Sequence, residues 1–245
     1  MRQATALPQP VGSVAHAPVG ASAAGNRILA GLAPEDLRLL HPIEAVRFAP
    51  RYTVFEAGDA LKHIYFPAGA VVSLLQVNRR GAMPEIMLVG ADGVVGVGPL
   101  LGATSALHRA VVRMGGEAYR VPLACARRAF DASEAFRGLV LRFAELVIRQ
   151  LSQSVVCKLS HTVEQQFCHR LLAYADHAER MPLELTHEQI AEALGSRRQG
   201  ITEAACRLQR DQVIAYSRGR ISILDRAALE RAACECYQVG KNAAG

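Results

Sequence analysis

Six arginines fall between positions 197 and 220 (Arg197, Arg198, Arg207, Arg210, Arg218 and Arg220), against only two carboxylates, Glu203 and Asp211. Guanidinium groups at this density offer forked, charge-assisted hydrogen bonds to phosphate oxygens, so the partner they suit is an anionic polymer. The surplus is local. Residues 162–245 hold 11 Lys+Arg and 11 Asp+Glu, while the whole 245-residue chain has a net charge of +6. A diffuse basic tail is therefore excluded, and the charge belongs to one surface.

The elements that must carry those arginines can be read from caps and periodicity. Thr186 can cap a helix to which Gln189, three residues on, reaches back, and Ile190, Ala193 and Leu194 give that helix one apolar stripe. Gly195 permits the left-handed backbone of a sharp turn. Ser196 is the expected cap of a second helix, 197–210, whose Ile201, Ala205 and Leu208 face inward. Arg197, Arg198, Gln199, Thr202, Glu203 and Arg207 are left outside. Two helices so joined form the layout of a DNA-reading helix-turn-helix. Beyond them, two alternating apolar runs flank Ser217-Arg218-Gly219-Arg220, which predicts a hairpin.

Gly195 at the turn, the Arg198-Gln199 pair and the segment Gln212 to Asp225 together resemble the Crp/Fnr family of bacterial transcription regulators. The resemblance runs from about residue 27 to the end and is strongest at the C-terminal end, beyond a hinge expected near His161-Thr162. It implies that helix 197–210 enters the major groove, one per subunit of a homodimer, on a pseudo-palindromic duplex site. Arg198 and Gln199 then match the first two base-reading positions, suited to guanine O6/N7 and adenine N6/N7 respectively. The third position falls on Glu203, which cannot bind guanine acceptors but can accept from cytosine N4, so the target differs from that of the best-known members. A second reading of Glu203 is an exposed ion pair with Arg207 at i+4. Arg197, Arg207, Arg218 and Arg220 suit phosphate contacts, and Thr202 and Ser217 complete the expected DNA-contacting set. Gly200, inside the helix, costs about 1 kcal/mol relative to alanine, and either lets the backbone approach DNA or is merely tolerated. A third reading of the chain's function is a regulator that works chiefly through protein contacts, for example with RNA polymerase, after docking on DNA.

The same resemblance narrows the effector. Cyclic-nucleotide-binding members carry a Gly-Glu pair followed by Arg-Ser or Arg-Thr; in the comparable segment, Gly96 to Ala110, Arg109 matches the arginine, no glutamate follows Gly96 or Gly98, and Ala110 replaces the hydroxyl residue. Without those partners cyclic AMP is not the expected effector. The first cysteine is Cys125, so an N-terminal iron-sulfur cluster is not expected either. His108, as a lone histidine, is read as structural rather than as a haem ligand. No cofactor or metal is expected.

The expected fold class is α+β: an N-terminal β-sandwich or jelly roll, a long dimerisation helix and a C-terminal winged helix-turn-helix. Residues 1–26, rich in Ala, Pro, Gly and Ser, are read as disordered. Residues 27–132 form the sensor, with strands expected at 45–48, 53–55, 63–66, 71–77, 85–89, 94–97, 109–113 and 118–121. Residues 133–161 form one helix whose broad apolar face (Phe136, Leu139, Val140, Phe143, Leu146, Val147, Leu151, Val155, Leu159) is read as a dimer seam. Residues 162–245 form the reading head, entered through a capped helix starting at Thr162.

Cys125, Cys157, Cys168, Cys206, Cys234 and Cys236 are spaced irregularly and are read as free thiols. Cys234-Glu235-Cys236 is close enough for redox or metal chemistry, but two thiolates alone do not make a zinc site and no further ligand stands at the usual spacing. No apolar run of about 18 residues occurs, so no membrane span is expected and a cytoplasmic protein is the default. The alternative function, an enzyme using the sandwich as its site, finds no nucleophile, base and orienting group or metal triad to assemble.

Overall fold

The computed structural model describes residues 25–78, 81–178 and 181–243. Most of the segment expected to be disordered, residues 1–24, lies outside them. Its last residue, Asn26, is buried and structured, which corrects the reading at that end. Asn26 caps helix α1 (Arg27–Ala30) by accepting from the amides of Ile28 and Leu29, and its own amide donates to Pro67 O and Gly93 O. Helix α2 (Pro34–Leu39) opens on a proline, whose missing N–H is no loss at a first helical turn.

Seven strands follow, β1 (Glu44–Phe48), β2 (Thr53–Phe55), β3 (His63–Pro67), β4 (Val71–Leu75), β5 (Glu85–Val89), β6 (Arg109–Met114) and β7 (Gly116–Pro122). They form two antiparallel sheets of order β1-β7-β3 and β2-β6-β4-β5, the architecture the alternating runs predict. Ile64, Phe66, Val72, Val112 and Val121 close the core between them. The expected strand at 94–97 is absent as such: Val95 makes one bridge with Tyr65. Gly96, in the left-handed region at φ 88°, then turns the chain into a short 3-10 helix at Gly98–Leu101.

Helix α3 (Leu123–Ala132) leads to α4 (Glu134–Ser160), capped by Ser133 and 27 residues long, roughly 40 Å. Phe136, Val140 and Phe143 at its start are consumed by the sensor core. The apolar residues left exposed include Leu141, Ile148, Val155 and Leu159. The first three repeat every seven residues and Leu159 lies four beyond, so the free stripe is narrower than, and rotated from, the face expected from periodicity.

His161 ends that helix in an extended conformation, and Thr162 starts α5 (Val163–His177) with a complete capping box to Gln165. The rest comprises β8 (Leu183–Glu184), α6 (His187–Leu194), α7 (Arg198–Arg210), β9 (Ile214–Ser217), β10 (Arg220–Ile223), α8 (Arg226–Ala232) and α9 (Cys236–Ala243). Phe167, Leu171, Leu172, Ile190, Ile201, Leu208, Ile214 and Ile221 make its core, and Val71 and Leu88 of the sensor sheet belong to that same cluster. No helix among the described residues is long and apolar enough to cross a membrane.

Candidate nucleic-acid interface

The turn between α6 and α7 is built as its glycine requires. Gly195 sits at φ 55°, ψ 34°, its amide bonds Glu192 O at 3.0 Å, and the Ser196 amide bonds Ala191 O at 2.9 Å. Thr186 and Gln189 form the capping box read from their spacing. At the second helix the cap differs from expectation. The N-cap is Arg197, not Ser196, and the Ser196 hydroxyl is buried without a protein partner, because the left-handed turn is completed one residue later.

Ile201, Ala204, Ala205 and Leu208 are buried beneath α7, so its other face is free. Arg198, Gln199, Glu203 and Arg207 are exposed there, and Thr202 is half-buried. Gln199 Nε2 donates to Glu203 Oε1 at 3.0 Å. Arg207, the alternative partner for Glu203, instead reaches back to Glu164 of α5 at 2.5 Å. The i+4 pair expected as the plain reading of Glu203 is thus replaced by an amide that is itself on the candidate reading face. A Cβ on Gly200 would meet Val163 at an ordinary 3.5 Å, so packing does not demand the glycine.

Most arginines of the patch rest on carboxylates: Arg198 on Glu188 at 3.6 Å, Arg210 on Asp211 at 3.2 Å and Arg220 on Glu184 at 3.2 Å. These pairs are exposed, and such pairs are worth about 0–1 kcal/mol each, less than a phosphate can offer in exchange. The hairpin β9–β10 turns through Arg218 at φ 49° and Gly219 at φ 77°. Two successive positive φ values are those of the tight turn whose twist matches the strands. That turn places Arg218 at the hairpin tip, with Ser217 and Arg220 on either side, and all three are exposed.

Sequence reasoning missed the residue that joins reading helix to hairpin. His187, the first residue of α6, stacks on Tyr216 of β9 with centroids 4.1 Å apart, and its Nδ1 lies 3.1 Å from Thr202 Oγ1. Thr202 donates its hydroxyl proton to Arg198 O at 3.1 Å, so it accepts from His187 Nδ1–H. Nε2 is then bare, buried and without a protein partner. Burial, followed by the Arg198 charge, holds the His187 pKa below its ordinary value of 6.5. Burial acts the same way on His63 and His108.

Below 6.5 and down to those lowered values, the unfolded chain binds more protons than the folded one. Stability is therefore full above pH 6.5 and falls as pH drops below it. Denaturant midpoints measured on either side of pH 6.5 should show this decline, and His187→Gln should flatten part of it while His63 and His108 keep the remainder. An equal slope in wild type and variant would contradict the assignment.

Residues 165–232 match the Crp-like helix-turn-helix domain family. That match spans the two helices, the turn and the hairpin just described. The chain is 24% identical over 199 residues to the global nitrogen regulator of Synechococcus elongatus, covering 78% of this chain and 90% of that one. The likeness of fold to solved structures extends over the N-terminal sheets as well. A CRP-family transcriptional regulator of Thermus thermophilus superposes with a TM-score of 0.65 at 21% identity, covering 76% of this chain and 95% of the other. A Crp/Fnr-family regulator of Eubacterium rectale gives 0.68 at 15% identity, covering 85% and 98%.

In the segment compared above with a cyclic-nucleotide cassette, the arginine is held by neighbouring side chains. Arg109 spends its guanidinium on Thr53 Oγ1 at 3.2 Å, Met83 Sδ at 3.1 Å and Glu56 Oε2 at 3.3 Å. His108 Nδ1 lies 3.1 Å from Gln76 Oε1.

The N-terminal sheet and the C-terminal helical part also share a buried polar centre that no local motif announces. Glu85 of β5 is fully buried and accepts from Ser73 of β4, from Arg170 of α5 and from Tyr174 OH of α5 at 2.9 Å, with Arg113 Nε at 3.6 Å. Burial pushes the Tyr174 phenol far above its ordinary range, so it stays a donor. Lys158, near the end of α4, donates to Leu194 O at the end of α6 and to Gln166 Oε1 at 3.1 Å. The reading head is thus tied to the sensor sheet and to the long helix by separate polar contacts.

Proposed function

We propose that the chain is a homodimeric, sequence-specific transcription regulator that reads a pseudo-palindromic duplex with α7. The observation that carries this reading is an amphipathic helix whose buried face is locked into the head while Arg198, Gln199, Glu203 and Arg207 stand on its free face. Arg198 and Gln199 read base edges, and Glu203 either orients the Gln199 amide or accepts from cytosine. Arg197, Arg207, Arg218 and Arg220, with Ser217, hold the phosphates, while Thr202, its one hydroxyl proton given to Arg198 O, braces the helix against His187.

The seam is the exposed stripe Leu141, Ile148, Val155 and Leu159 of α4, paired with its copy. With Ile148 64% and Leu159 83% exposed, the four residues line one contiguous apolar strip of the kind that supports an interface. The commitment of Arg109 to Thr53, Met83 and Glu56 supports an effector other than cyclic AMP.

The test is a pair of single substitutions scored against a preferred and a scrambled duplex. Arg198→Ala should lose about 1–3 kcal/mol of discrimination between the two. Arg218→Ala should weaken both equally and reduce the salt slope by about one. Equal loss of discrimination in both variants, or in neither, would contradict these roles.

A further inference from the structure

The C-x-C pair in the link between α8 and α9 does not stand alone. Cys157 in the last turn of α4 and His161 at its end meet Cys234 and Cys236, and the three Sγ atoms and one imidazole nitrogen all lie within 4.8 Å of one another. Cys157 Sγ is 3.6 Å from Cys234 Sγ, and Cys236 Sγ is 3.5 Å from His161 Nδ1. A tetrahedral zinc with bonds of about 2.3 Å to sulfur and about 2.0 Å to nitrogen sets S···S edges near ~3.8 Å and S···N edges near ~3.5 Å. The Cys157–Cys234 and Cys236–His161 edges already stand near that spacing, and the other pairs lie within 4.8 Å.

Their surroundings fit ligation. His161 Nε2 lies 3.1 Å from the Glu235 carboxylate, so Nε2–H donates outward and the Nδ1 lone pair faces Cys236. A ligating imidazole whose other nitrogen is anchored to a carboxylate is the usual outer layer of a zinc site. Gln153 Nε2 donates to Cys236 Sγ at 3.0 Å, a bond that favours the thiolate. His169 Nδ1 lies 3.6 Å from Cys234 Sγ and 3.9 Å from Cys157 Sγ, a second imidazole on the rim. All three thiols are buried, yet Gln153, His169 and Cys236 border a cleft of about 1200 Å³ that gives an ion a way in.

We propose that Cys157, His161, Cys234 and Cys236 bind one zinc ion, which replaces the three thiol protons and pins the C-terminal helices of the head to the base of α4. The ligands straddle the hinge at His161-Thr162, so the ion fixes how the head leaves the long helix. The local signal was the C-x3-H step from Cys157 to His161, two ligands one helical turn apart, which becomes informative only when the fold returns Cys234 and Cys236 to it.

The test uses the full-length chain purified under reductant. Zinc analysis should give one ion per chain, and replacement by Co(II) should produce d–d absorption of tetrahedral intensity together with thiolate-to-cobalt charge transfer. Cys236→Ser should diminish the charge-transfer band and weaken metal binding at least tenfold, whereas Cys125→Ser should change neither. A chelator should lower the Tm of the wild type, and added zinc should restore it. The proposal is overturned by a cobalt spectrum without thiolate charge transfer, by one that Cys236→Ser leaves unaltered, by iron recovered with sulfide, or by a Cys157-to-Cys234 disulfide in the reduced, zinc-supplied protein.

Discussion

Glu85→Ala should cost about 3–5 kcal/mol of stability, among the largest losses available from one side chain in this protein. The carboxylate is fully buried and answers two arginines, a tyrosine and a serine, so its removal strands the Arg113 charge and leaves Tyr174 OH without its acceptor. Exposed ion pairs such as Arg198–Glu188 offer no comparable effect. Because Ser73, Glu85 and Arg113 belong to the sensor sheet and Arg170 and Tyr174 to α5, the damage should fall at the seam between sensor and head. Denaturant unfolding should give the loss of stability, and amide exchange should accelerate first in α5 and β5. Tyr174→Phe, which removes one hydrogen bond, should cost about 1 kcal/mol. A loss no greater for Glu85→Ala than for Tyr174→Phe would show that the charges are hydrated and the seam is not held this way.

Ile148→Asp should abolish the proposed dimer at concentrations where the wild type is paired. The substitution puts a carboxylate on each copy of α4 at the centre of the stripe running from Leu141 to Leu159, where the two charges would face each other inside an apolar seam. A cost of about 3 kcal/mol or more corresponds to an association constant weakened by roughly 100-fold or more. Sedimentation equilibrium measures it. Because Ile148 is exposed in the isolated chain, the circular dichroism of the variant should stay near its wild-type value. An unchanged dimer constant would move the interface elsewhere.

How far the residues announced this structure depended on range. Capping boxes at Thr162 and Thr186, the left-handed Gly195 and the Arg218-Gly219 turn were readable because each is decided within four residues by hydrogen bonds and allowed φ values. Ser196 failed as a cap because the turn geometry, not side-chain preference, chose Arg197. The strand expected at 94–97 had the right residue types but only Tyr65 for a partner, and pairing is a long-range property.

Long-range pairing also explains what was missed in the site. Periodicity along α4 gave an apolar face but could not say that Phe136, Val140 and Phe143 would be spent on the sensor, leaving a rotated stripe. Glu85 meets Tyr174 across 89 positions of sequence, and Cys157 meets Cys234 across 77. His187 looked like an ordinary first-turn residue until the fold brought Tyr216 and Thr202 against it.

The central claim is that α7 reads sequence and does so twice per dimer. Selection of bound duplexes from a random pool by the full-length protein tests it most directly. The enriched fragments should converge on an inverted repeat with half-sites about 10 base pairs apart, centre to centre, and Arg198→Ala should lose the preference at one symmetric position in each half. Fragments that share no sequence, or a single half-site without its mirror, would contradict the account.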